Sequence, residues 1–143
     1  MNDDVLLQGA DRKLRASLDI FFASIDAYID FDPARAYTPK ELEPYDALSD
    51  RFLRAFESSI RYFRTLEGVR EVAPSESFRD LLNRRERYRA ITSTGAWLEM
   101  RDTRNRIAHE YLPEEQAKLY RAIVGPAATE LLHVRSTIGG AAA

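Results

Sequence analysis

Residues 48–68 read Leu-Ser-Asp-Arg-Phe-Leu-Arg-Ala-Phe-Glu-Ser-Ser-Ile-Arg-Tyr-Phe-Arg-Thr-Leu-Glu-Gly. Large apolar side chains return at Leu48, Phe52, Phe56, Ile60, Phe63 and Leu66, with Asp, Glu and Arg between them. An α-helix advances about 100° per residue, so this spacing gathers the apolar groups into one stripe and leaves charge opposite. A strand would need alternation at every second residue, and none is present. Gly68 stands where a glycine would stop the helix.

The same periodicity extends outward. Upstream, Leu14, Leu18, Phe21, Phe22, Ile25 and Tyr28 predict a first long helix ending near Phe31, broken by Asp32-Pro33. The stretch 32–46 holds Pro33, Pro39 and Pro44 and reads as a connecting loop with one short turn. Downstream, Pro74-Ser75 opens a third helix with Phe78, Leu81 and Leu82 inside and Tyr88 near its end. Ser93-Thr94-Gly95 is a break with N-cap chemistry. The fourth helix starts there and carries Trp97, Met100 or Arg101, Arg104, Ile107 and Ala108. It ends around Glu110 or Tyr111, because the residue before Pro113 is biased away from the helix. Pro113-Glu114-Glu115 has the form of a helix start. That fifth helix runs through Leu119, Ile123, Leu131 and Leu132, with a kink at Gly125-Pro126. Long amphipathic helices with short connections predict an all-α fold, an antiparallel bundle of four to five helices. One domain covers residues 1–143, with 139–143 as a frayed tail.

At 143 residues the chain is long enough for one self-sufficient core. It has no Cys, which removes disulfides, thiolate nucleophiles and Cys-based zinc sites together. No apolar run approaches the ~18 residues of a membrane span, and the acidic start Met1-Asn2-Asp3-Asp4 is unlike a signal peptide. A cytoplasmic protein without membrane contact is expected. The net charge of −2 conceals an asymmetry. Residues 1–50 carry 11 acidic and 5 basic side chains, whereas residues 79–106 carry 8 Arg against 4 acids. Of the 21 basic residues 18 are Arg, the side chain better suited to bidentate phosphate contacts. An Arg-rich composition with ordinary solvated helix faces explains this equally well. The basic segment, however, leads directly into the stretch that carries the chemistry.

That stretch is Arg101-Asp102-Thr103-Arg104-Asn105-Arg106-Ile107-Ala108-His109-Glu110-Tyr111. On a continuous helix, Asn105 and His109 share a face with Arg101 and Asp102, and Arg104 reaches across from a neighbouring one. A guanidinium neutralises a phosphorane, an imidazole moves protons near neutral pH, and an amide orients either. Each residue also has a purely structural explanation. Arg104 could serve as a surface ion pair, His109 as a C-terminal cap and Tyr111 as a packing aromatic. Their joint occurrence favours chemistry. The second histidine, His133, is isolated on the last helix and reads as structural. No Gly-rich phosphate loop, His/Asp ligand cluster or Ser-centred nucleophile motif competes.

Arg104-Asn105-Arg106-Ile107-Ala108-His109-Glu110-Tyr111 resembles the Arg-x4-His-x-Tyr motif of the HEPN superfamily, in its HepT-like branch. A polar residue often follows the Arg in that pattern, and Asn105 matches. The chain length, the Trp-containing start of the motif helix and the Tyr-x-Pro-Glu-Glu exit are also similar. The resemblance implies a HEPN-like helical homodimer with the two motif helices facing each other across a composite cleft. It further implies a metal-independent ribonuclease, a toxin paired with a nucleotidyltransferase antitoxin that in some pairs adenylylates the motif Tyr. Arg104, Asn105 and His109 then map onto the catalytic residues and Tyr111 onto the modified one. Arg84, Arg85, Arg87, Arg89, Arg101 and Arg106 are expected to contact RNA, and neither metal nor cofactor is expected. The alternative is a non-catalytic subunit that presents nucleotide or substrate to a nucleotidyltransferase.

The chemistry fits a dimer. Metal-free cleavage requires deprotonation of the ribose 2′-OH, protonation of the 5′-oxygen and stabilisation of a phosphorane. One His cannot easily be base and acid at once, but two copies across a cleft can share the work. Tyr111, beside the turn forced by Pro113, is expected to hold its phenol in solvent.

Overall fold

In the computed structural model, which describes residues 2–138, helices α1 (Asp3–Asp26), α2 (Pro39–Arg70), α3 (Phe78–Arg87), α4 (Thr94–Ile107), α5 (Pro113–Ala122) and α6 (Ala128–Thr137) follow in order. A π-helical turn, Ile123–Ala127, joins α5 to α6 without interruption. The described residues thus form five helical rods and contain no strand, the expected all-α bundle. The anticipated kink at Gly125-Pro126 takes the form of this π turn. It absorbs the missing N–H of Pro126 while Thr129 Oγ1 donates to the Gly125 carbonyl at 3.1 Å. The expected fraying at 139–143 lies outside the described residues.

Helix starts follow side-chain chemistry. Thr38 accepts from the Glu41 amide at 3.2 Å while the Glu41 carboxylate accepts from the Thr38 amide at 3.0 Å, with Pro39 in the first turn. This capping box corrects the reading of 32–46 as loop, since α2 begins at Pro39. Pro44 sits inside the helix and forfeits one backbone bond there. Burial of Tyr45 and Leu48 just beyond it offsets that loss. Gly68 does not end α2, which runs on to Arg70. α1 ends at Asp26 rather than near Phe31. The chain then turns so that Phe31 enters the core, where it stacks on Tyr37 at 4.9 Å. α3 starts at Phe78 with Ser77 as cap, because Ser75 is engaged by Glu67.

α3 ends in a left-handed residue, Arg89 at φ 62°. The Ala90 amide donates to Arg85 O and the Arg89 amide to Glu86 O, both at 2.9 Å. Glycine usually occupies that position, and a side chain there costs roughly 1 kcal/mol. Ser93 caps α4 as predicted, accepting from the Ala96 amide at 3.1 Å.

α1 and α2 are antiparallel, because Phe21 meets Phe52 and Ser24 meets Arg51. α6 runs back along α1, with Arg135 on Asp19 and Arg15 on the Ile138 carbonyl. The core joins Leu14, Leu18 and Phe21 to Phe52, Phe56, Phe63, Leu81, Trp97 and Leu131. Tyr88, just past α3, and Leu132 on α6 are exposed. Two buried glutamates tie loops to the bundle. Glu67 accepts from the Ser75 amide, the Ser75 hydroxyl and Arg84, and Glu130 from the Thr92 amide, the Thr92 hydroxyl and Trp97 Nε1.

Candidate nucleic-acid interface

The face of α4 that meets the core decides which of its side chains remain free. Trp97, Met100 and Thr103 are buried, three residues apart, and Ile107 is half-buried one turn on. Of the pair Met100 and Arg101, it is therefore Met100 that packs inward. Asn105 and Arg106 point to solvent, and Arg104 lies at the edge of the buried stripe. Its guanidinium crosses to α2, forms an ion pair with Glu57 and sits 5.6 Å over the Phe56 ring. Arg104 Nε is buried without an acceptor.

α4 stops at Ile107, short of Glu110 or Tyr111. α5 begins at Pro113 and packs back against the bundle, so the chain needs residues 108–112 to reverse direction. The arrangement of Asn105 and His109 on one helical face is consequently not realised. His109 lies in the exit turn, its amide donating to Arg106 O at 3.1 Å. The imidazole is exposed, and neither ring nitrogen has a partner among the described residues. Tyr111 is 81% exposed and Leu112 is 62% exposed. The phenol is thus solvent-reachable, as its position before Pro113 suggested.

His133 is placed quite differently. Its Nε2–H donates to the Arg89 carbonyl at 2.7 Å, which supports the left-handed turn after α3 from the side of α6.

The expected RNA-contacting arginines divide into three groups. Arg84 donates to Glu67 at 2.8 Å and to the Ala73 carbonyl at 3.1 Å. The Arg85 side chain is 3% exposed and pairs with Glu71 at 3.5 Å; burial lowers its pKa, with Glu71 and Glu67 opposing. These two are engaged inside the fold. Arg106 joins a surface network with Glu115 at 3.2 Å and Glu110 at 3.6 Å, which ties the exit turn to α5. Glu115 is held below the usual carboxylate range by Lys118 first and by Arg106 after it. Arg87, Arg89 and Arg101 are exposed without a carboxylate partner among the described residues, and Arg101 lies 4.8 Å over the Phe78 ring.

Two further arginines escaped the reading of the sequence. Arg61 and Arg64 are exposed on α2 beside Glu57, lining a groove with Ile60 and Thr65. Their spacing from Glu57, four and seven positions, was the available signal. On the other side of the α4 exit a pocket of about 240 Å³ is lined by Asp46, Asp50 and Glu110. Phosphate is thus favoured on the Arg61–Arg64 side and repelled on the other. Among the described residues, no three His, Asp or Glu side chains converge to hold a metal ion.

Comparison of the chain with protein families, curated proteins and solved structures finds no match in any of the three.

Proposed function

We propose that the chain is a metal-independent endoribonuclease of HEPN type, active as a homodimer and neutralised by a nucleotidyltransferase antitoxin. The observation that carries this reading is the unpartnered, exposed His109 imidazole. It stands two residues past the end of the helix that presents Arg104 and Asn105.

In the proposed reaction one His109 takes the proton of the ribose 2′-OH, and the oxygen attacks the adjacent phosphorus. The P–O5′ bond breaks, and His109 of a second copy returns a proton to the departing 5′-oxygen. The products are a 2′,3′-cyclic phosphate and a 5′-hydroxyl. Arg104 neutralises the phosphorane after exchanging Glu57 for the scissile phosphate. That ion pair is partly exposed on both sides, so the exchange costs only about 0–1 kcal/mol. Asn105 orients the phosphate or the imidazole. The adjacent Tyr111 and Leu112 form an uncovered apolar pair of the kind that a second copy covers. Attachment of a nucleotide to the Tyr111 hydroxyl places phosphate beside Arg104 and His109 and blocks RNA.

RNA cleavage with and without EDTA, by wild type, His109→Ala and Arg104→Lys, tests the proposal. Wild type should cleave in EDTA, His109→Ala should be inactive while still folded, and Arg104→Lys should be severely impaired because Lys lacks the planar fork. RNA binding without cleavage by wild type would replace the nuclease with the non-catalytic partner subunit.

A further inference from the structure

A second candidate site lies away from α4, between α1, α2 and the segment that joins them. Ala23 on α1, Ala27 just past its end and Ala47 on α2 line it with small side chains. The cavity measures about 330 Å³, and Tyr28, Ile29, Arg35 and Tyr37 of the segment after α1 complete its lining. Three tyrosines form its aromatic walls. Tyr28 and Tyr45 meet edge to face at 6.1 Å, as do Tyr37 and Tyr45 at 5.6 Å.

Each of these hydroxyls has a partner, and two of them donate their proton to it. Tyr45 donates to Ile29 O at 2.8 Å, Tyr28 donates to Asp30 at 3.1 Å, and Tyr37 accepts from the Asp32 amide at 3.0 Å. The walls are therefore fixed in place, and Tyr37, its ring covered by Phe31 and Arg35, presents its edge and a phenol proton still to give. A preformed site of this kind loses little freedom on binding.

Charge at the cavity is unevenly compensated. Arg35 pairs with Glu41 and stacks over Tyr37 at 4.6 Å. Arg51, half-buried in the wall, has only the neutral Ser24 Oγ as partner, at 2.8 Å, and no carboxylate within ion-pair distance among the described residues. Ser24 accepts that bond and keeps its own proton to give. A guanidinium and a hydroxyl beside an aromatic slot match one carboxylate attached to one or two rings. The surrounding segment carries Asp26, Asp30, Asp32, Glu43, Asp46 and Asp50, which repel a polyanion such as a nucleoside polyphosphate.

We infer that the cavity between α1 and α2 binds a small aromatic monocarboxylate, with its ring among Tyr28, Tyr37 and Tyr45 and its carboxylate on Arg51 and Ser24. Indole-3-acetate, the neutral indole and the cationic tryptamine probe this in amide-resolved NMR titrations of the full chain. Indole-3-acetate should shift the amides of Ala23, Ala27 and Ala47 saturably and bind roughly tenfold tighter than either analogue. Arg51→Gln should abolish that preference, and Ala47→Phe should fill the slot and prevent binding by all three while the helical circular-dichroism signal stays unchanged. Tighter binding of tryptamine, an Arg51→Gln variant with wild-type affinity, shifts confined to other regions, or no saturable shift at low-millimolar acid would each overturn the assignment. Should Ala47→Phe lose its helical signal, the Arg51→Gln comparison decides.

Discussion

The two ends of α4 are built on opposite plans. At its start, Ser93 caps the helix, Glu86 accepts from the Thr94 amide at 2.8 Å, and Glu130 accepts from both Thr92 and Trp97. His133 fixes the preceding turn through Arg89. At its end, the side-chain ties of the exit turn among the described residues are Arg106 with its two glutamates and Gln116, whose amide donates to the Glu110 carbonyl. The His109 ring has no partner among the described residues, Tyr111 and Leu112 are exposed, and α5 begins without a side-chain cap. One end holds the helix in the bundle. The other leaves polar groups uncommitted, which is the condition for binding something else.

Substitutions at the two ends should separate these roles. The largest effect is expected at Trp97, fully buried, stacked on Phe56 at 5.8 Å, edge-on to Phe63 at 5.3 Å and bonded to Glu130. Trp97→Ala should cost about 3–5 kcal/mol, read as a lower midpoint in urea, because it opens a cavity and strands part of a buried carboxylate. A loss under 1 kcal/mol would mean that the anchored end is not where α4 is held.

The buried Glu67 gives an intermediate effect and a pH signature. Burial pushes its carboxyl up, but the Ser75 hydroxyl and amide, with Arg84, prevail and hold it below the usual range. A depressed folded-state pKa adds stability above the unfolded value of about 4.3, and that stability is lost as pH falls through the folded value. Glu67→Gln should therefore cost about 1–3 kcal/mol at pH 7, and the difference from wild type should shrink in acid below about pH 4. A difference that is constant with pH would show that the carboxylate charge is not what holds the loop.

The smallest effect on stability is expected at His109. His109→Ala should change the unfolding free energy by less than about 0.5 kcal/mol, because the ring touches nothing that folding needs. A loss above 1 kcal/mol would show that the free end is structural after all.

Legibility in the sequence followed the same division. The stripes of α1 and α2, the Ser93 cap, the Pro113 start and the irregularity at Gly125-Pro126 were all readable, since each depends on spacing or on one residue's local chemistry. The start of α2 was misread because three prolines in 32–46 outweighed Thr38-x-x-Glu41, although Pro39 in a first turn favours a helix. The early end of α4 depends on how α5 docks, a tertiary demand that periodicity does not encode. The commitment of Arg84 and Arg85 to Glu67 and Glu71 was hidden for the same reason: ion-pair partners from other elements become visible only once the chain is folded. Arg104 with Glu57, 47 residues apart, is the widest of these three pairs.

Trp97 is the single tryptophan of the chain, and its indole is sealed between Phe56, Phe63 and the Glu130 carboxylate. The far end of α4 reaches it through one ring, since Phe56 also lies beneath the Arg104 guanidinium. Excitation near the red edge therefore samples one chromophore in one environment, free of the averaging that several indoles impose. The emission maximum reports whether the bundle is closed. Smaller intensity changes report on Phe56 and hence on whether Arg104 has left Glu57. The protein carries its own optical gauge, one benzyl group away from the cation on which the proposed chemistry depends.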